Sequence, residues 1–409
     1  MKVIVIGGGP AGMMSAIRAA ENGAEVILFE KNNRLGKKLS ITGKGRCNIT
    51  NSAEISEVVK NIPGNGKFLY SALKNFSTAD TINFFENLGL QTKIERGGRI
   101  FPKSDNAGDV IEILEKKLNL LGVKIKLNSR VTEIFANNNK IRGVEVDKKF
   151  FEADKIILAT GGKSYPATGS TGDGFIFAKK LGHTITEILP ALVPLEIEED
   201  FVKILQGLSL KNIRVTLNAD NKKISEIFGE MLFTHFGVSG PIILTLSRTV
   251  ARLLFEKKFV ELLINLKPAL TAEQLNLRIL RDFEKFKHKI IKNALVELLP
   301  QKLIEIILDL AYIDENKKVD EITKIERLQL VKILQNLSLT VTKTRPIDEA
   351  IVTAGGISVK EINPATMESK IIKNLFIVGE VADIDGFTGG FNLQAAWAMG
   401  NAAGNFSGK

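Results

Sequence analysis

The 409-residue sequence predicts an α/β protein in which a discontinuous Rossmann-like domain, residues 1–193 and 345–409, is interrupted by an insert of β-rich sequence at 194–270 and helical sequence at 271–344. Three observations predict it. The chain opens on a β-branched run that ends in glycines and passes into a helix-forming stretch. A run of the same kind, Leu375 to Val378, closes on Gly379-Glu380 toward the other end. Between them the apolar spacing changes from continuous to alternating and then to helical.

Val3 to Ile6 suits a parallel strand buried on both faces. Gly7, Gly9 and Gly12 follow in G-x-G-x-x-G order with Pro10 and Ala11 between them. Ala11 through Ala20 supplies a helix whose N-terminal amides and positive dipole end face a diphosphate. Glycine is needed because a Cβ would block the turn, the phosphate approach or the helix–strand contact. Val26 to Phe29 forms the second strand, and Glu30-Lys31 ends it, where an acid receives the ribose hydroxyls of adenosine. Strand, glycines, helix, strand and acid together predict a dinucleotide site over a ligand-free glycine turn.

Which dinucleotide is decided further along. Arg34-Leu35-Gly36-Lys37-Lys38 resembles the flavoprotein continuation, in which glycine and a base lie close to the phosphates and adenosine of FAD. Val123 to Leu127 and Val131 read as strands that pack on an adenine edge. Lys155 to Gly162, with Ala159, Thr160 and Gly161, resembles the segment at which two-dinucleotide-domain flavoproteins re-enter the FAD domain. Glu380 stands where such enzymes place an acid on the ribityl hydroxyl, and Asp385 lies just beyond. The stretch Gly386 to Gln394, including Gly390, Asn392 and Leu393, leads into an alanine-rich helix whose dipole end suits the flavin pyrimidine carbonyl.

The combination TGKGRCNITN, GGKSYPATGSTGDG, MLFTHFGVSGP, VTAGGI and VGEVADIDGFTGGFNLQAAWAMG resembles the BaiN-like family of NAD(P)/FAD-dependent oxidoreductases over essentially the whole chain. That resemblance implies FAD as cofactor and NAD(P)H, a small-molecule nicotinamide, as reductant. It also implies one of three activities linked to the family: reduction of conjugated double bonds in steroid-like substrates, aminoacetone oxidation, or dihydrouridine formation in large-subunit ribosomal RNA. A second complete G-x-G-x-x-G is missing, so the nicotinamide is expected to share the substrate's cleft rather than occupy its own Rossmann domain.

Thr42, Gly43, Gly45, Arg46, Cys47 and Asn48 form a segment too glycine-rich for regular structure. It reads either as a backbone nest with a basic side chain against the cofactor or as a surface loop. Cys47 is either a small buried hydrophobe or a general acid whose pKa Lys44 and Arg46 lower. His235 is either a proton donor in the cleft or an interior histidine bonded to a carbonyl. His183 reads as a capping or surface residue, and Tyr165 as a neighbour of the flavin region or a packing residue.

Composition bounds the rest. One cysteine excludes an intramolecular disulfide, no structural metal is expected, and a reducing cytoplasmic compartment follows. No apolar run is long enough for a membrane span. The net charge of +10 suits a polyanion such as ribosomal RNA, and equally a set of solvated lysines. Oligomeric state is not encoded.

Overall fold

The computed structural model describes residues 1–409 as two compact units, Met1–Ala191 with Ile347–Lys409, and Leu192–Pro346. The first unit is built on a five-stranded parallel sheet in the order Leu375–Ile377, Lys155–Leu158, Lys2–Ile6, Glu25–Phe29 and Lys124–Lys126. The central strand is apolar on both faces because both are covered, and Val3, Ile4 and Val5 are fully buried. Burying each such side chain contributes about 1.5–3 kcal/mol.

Helix Pro10–Glu21 starts with proline at its first position, where the missing N–H costs nothing. It packs against the closing helix Phe391–Ser407. Their close approach depends on glycines at four-residue spacing. A Cβ on Gly400 would lie 2.6 Å from the Ala11 carbonyl oxygen, and one on Gly404 2.5 Å from that of Ser15. The unit also holds two antiparallel three-stranded sheets, Thr50–Asn51, Arg99–Pro102 and Thr92–Glu95, and Val131–Asn137, Lys140–Val146 and Lys149–Glu152, and a two-stranded one, Leu189–Ala191 with Val352–Ala354.

The second unit is a closed barrel, ordered Leu195–Ile197, Gly237–Ser239, Lys222–Thr234, Ser209–Ala219, Val260–Asn265 and Leu337–Thr344. Buried and less buried residues alternate strictly along Val260–Asn265, as a barrel wall requires. Helices Ala272–Lys285, Gln301–Leu310 and Lys324–Gln335 follow, with capping boxes at Thr271 and Thr323. The expected division between 270 and 271 is corrected here. After the helices the chain returns as Leu337–Thr344 to close the barrel, and strand and helix residues such as Leu262, Ile279 and Leu308 share one apolar core. No helix is long and apolar enough to cross a membrane.

Candidate cofactor-binding site

Residues expected at the cofactor from both ends of the chain, Gly7, Glu30, Ala159 and Gly379, lie at or beside the carboxyl ends of the parallel strands. Gly7 follows Lys2–Ile6 with φ of 107°, and a Cβ there would meet the Ala159 carbonyl oxygen at 2.4 Å. A Cβ on Gly12 would fall 1.9 Å from the Gly7 oxygen. Gly9 differs: nothing lies within 4 Å of its would-be Cβ. Two of these glycines are therefore demanded by the fold, and the middle one faces open space beside first-turn amides that have no intrahelical acceptor.

Glu30 is buried at the end of Glu25–Phe29. One carboxylate oxygen accepts the Gly8 N–H at 2.7 Å, and the other accepts the backbone and side-chain N–H groups of Asn32, each at 2.8 Å. These bonds fix the acid in place. Val131 is brought beside it, because Ser129 N–H bonds the Glu30 carbonyl as the chain enters Val131–Asn137.

Glu380 anchors a second cluster. Its carboxylate accepts from Lys38 Nζ at 2.8 Å, Ser164 Oγ at 3.0 Å and Thr353 N–H at 2.8 Å. Burial pushes this carboxyl up, but Lys38 and Thr353 more than offset it and hold it below its usual range. Gly390 caps Phe391–Ser407 with φ of 97°, and a Cβ there would meet the Thr50 oxygen at 2.4 Å. Asn392 braces the preceding loop by bonding both the N–H and the carbonyl of Gly386, each at 2.7 Å. Asp385 is buried at the foot of that loop, and Leu393 sits half-buried on the first turn of the helix.

Other residues expected at the cofactor are engaged by partners within the protein. Lys38 is committed to Glu380 rather than open to a phosphate, and Lys31 to Thr171 and Asp173. Lys37 reaches toward Asn32. Gln394 points into the core, accepting from Thr50 and Thr81 and donating to the Phe76 carbonyl. Arg46 is bound by Glu95 and Asp105, with its guanidinium 4.2 Å from the Phe101 ring centre. The loop itself is sharply turned, with left-handed backbone at Gly43, Lys44, Gly45 and Cys47.

Cys47 is fully buried, and burial pushes its thiol up to about 12 against a smaller lowering by Thr42. The lowering expected from Lys44 and Arg46 does not occur: burial and Thr42 set the thiol, and Arg46 is paired with Glu95 and Asp105. His235 is exposed in the turn between Lys222–Thr234 and Gly237–Ser239, edge-on to Phe236. It is not an interior histidine. His183 is buried, not at the surface: Nδ1 lies 2.9 Å from Glu361 and Nε2 2.9 Å from Ser369 Oγ. Tyr165 is half-buried with φ of 51°. Gly8, Ser164 and Thr353 are not among the residues expected individually at the cofactor, although each lies in a segment that carries a signal: the glycine run, GGKSYPATGSTGDG and VTAGGI.

The residues fit a dinucleotide. Besides the open face of Gly9, two buried side-chain oxygens predicted to lie at the cofactor, Asn48 Oδ1 and Thr160 Oγ1, have no partner in the protein. Buried polar atoms are rarely left so, and a polar ligand would satisfy both. A sequence profile described as the HI0933-like protein Rossmann domain matches residues 1–406. The chain belongs to the HI0933-like Rossmann family.

Relatives of this HI0933-like chain span nearly all of it. It is 35% identical over 405 residues to a 3-dehydro-bile acid delta(4,6)-reductase of Clostridium scindens, covering 98% of both chains. It is 30% identical over 404 residues to a ribosomal RNA dihydrouridine synthase of Haemophilus influenzae, covering 98% of this chain and 96% of that one. The fold is also that of a 3-ketosteroid delta1-dehydrogenase from Sterolibacterium denitrificans, with a TM-score of 0.53 at 13% identity over 99% of each chain. This HI0933-like chain is an FAD-dependent oxidoreductase.

Proposed function

We propose that the enzyme takes electrons from NAD(P)H and reduces a carbon–carbon double bond conjugated to a carbonyl, in the uracil ring of a uridine of large-subunit ribosomal RNA. One observation carries this reading: full-length likeness to a protein named ribosomal RNA dihydrouridine synthase, in a chain whose net charge is +10. Bound FAD supplies the two-electron chemistry. The first-turn amides after Gly9 hold its diphosphate, Glu30 its ribose, and Asn48 and Thr160 donate or accept at the buried polar positions that face it. The amide end of Phe391–Ser407, set by Gly390, offers positive potential where negative charge develops on reduction. Cys47 stays protonated through the neutral range but is sealed from a substrate ring, so its part is to pack the loop.

The likeness to a bile acid reductase favours a second reading, with a small steroid-like enone as acceptor. Nucleoside mass spectrometry of ribosomal RNA from a deletion strain, with and without the restored gene, separates the two. Loss and recovery of dihydrouridine supports the RNA reading. Unchanged dihydrouridine, together with NAD(P)H-dependent turnover of a 3-oxo-4,6-diene by the purified enzyme, replaces it with the second.

A further inference from the structure

A polar cavity of about 580 Å³ opens on the first unit, and three of its lining residues are lysines, Lys140, Lys370 and Lys373. All three are exposed and none pairs with a carboxylate. The one acid in the wall, Glu368, accepts the Asn374 N–H. The cavity wall therefore carries a net excess of positive charge.

Its frame is rigid. Asn138 and Asn139, both left-handed, turn Val131–Asn137 back into Lys140–Val146. Lys373 is clamped to that turn in both directions, its N–H on the Asn139 carbonyl and its carbonyl on the Ile141 N–H. Ser369 Oγ accepts the N–H groups of Ile371 and Ile372 and bonds the buried His183, which pins the segment carrying Lys370 and Lys373. Lys370 Nζ is tethered to the Lys360 carbonyl and keeps two donors for a ligand.

Position decides what kind of anion fits. Asn374 precedes the strand Leu375–Ile377 and bonds Ile156, so the cavity lies at the amino end of the parallel sheet. The FAD residues lie at its carboxyl end. A small anion held there would be remote from the chemistry. A polymer with a phosphate at every residue can occupy both ends at once.

We infer that the cavity framed by Lys140, Lys370 and Lys373 is an accessory binding site for the phosphodiester backbone of ribosomal RNA, engaged while the target uridine is at the flavin. The inference rests on the RNA reading above. The test is a fluorescence-anisotropy titration of the FAD-loaded protein with a labelled large-subunit ribosomal RNA transcript across a salt series. Wild type is compared with the triple variant K140Q/K370Q/K373Q. Removing three phosphate contacts should lower the slope of log affinity against log salt by about 3 and weaken binding at moderate salt at least about tenfold. The absorbance of bound FAD should not change. Equal slope and affinity in the variant overturn the accessory site and leave the RNA reading standing. A wild-type protein that does not bind the transcript overturns both.

Discussion

Replacing Gly9 by alanine separates the fold's demands from the cofactor's. Gly9 has φ of −80° and ψ of −177°, which alanine adopts freely, and its added methyl meets no atom within 4 Å. Alanine stabilises by about 0.4–1 kcal/mol through the unfolded chain and loses a comparable amount as a helix N-cap, so the apoprotein should change by less than about 1 kcal/mol. In a protein of this size that is a shift of at most about 4 °C in Tm. The methyl nevertheless enters the open space beside the helix amides that the proposed diphosphate would occupy. Losing one hydrogen bond to a charged group costs about 1.5–3 kcal/mol, or about ten- to a hundredfold in Kd. Thermal unfolding of the apoprotein and quenching of flavin fluorescence on titration measure the two quantities. Gly12→Ala is the contrast, since its methyl would collide with the Gly7 oxygen at 1.9 Å and should cost the fold itself. Unchanged FAD affinity in Gly9→Ala, or an unfolded Gly9→Ala protein, would refute the placement of the diphosphate.

Gly390→Ala places a methyl 2.4 Å from the Thr50 oxygen at φ of 97°, and should destabilise by at least about 2 kcal/mol and weaken FAD binding together, as read by thermal unfolding and flavin titration. His183 is pushed below its ordinary 6.5 by burial, against the opposing pull of Glu361. The folded protein therefore keeps it neutral where the unfolded chain is protonated. Stability is full above pH 6.5 and falls as pH drops below it, and His183→Gln should flatten the Tm-against-pH curve below pH 6.5 while lowering Tm at pH 7. Cys47, with its thiol raised to about 12, should ignore a thiol-specific disulfide reagent at pH 8 until the protein is unfolded in guanidinium; stoichiometric reaction of the native protein would show the sulfur to be open.

What was legible in the sequence was what the local backbone dictates. Gly7, Gly12 and Glu30 sit at fixed offsets from strand and helix ends, and those offsets alone bring a carbonyl within reach of a Cβ or an acid within reach of an amide. What was not legible depended on partners far away in the chain. Cys47 has Lys44 and Arg46 as sequence neighbours, but Arg46 pairs with Glu95 and Asp105 and burial sets the thiol. Gln394 follows a glycine loop suited to a cofactor, yet Thr50 and Thr81 satisfy it inside the core. The insert reads as strands and then helices because apolar spacing is a local signal. That Leu337–Thr344 pairs back with Val260–Asn265 is a long-range event that spacing does not record.

The glycine-lined seam between Pro10–Glu21 and Phe391–Ser407 has a consequence for biosynthesis. The ribosome delivers the two halves of the flavin cradle at opposite ends of this polypeptide, and the barrel residues Leu192–Pro346 emerge complete before the second half exists. In the folded protein Ala11, Met14 and Ser15 of the early helix lie against Gly400 and Gly404 of the late one. A chain cut short of Phe391 should therefore lack Gly400 and Gly404, the residues that let the two helices meet.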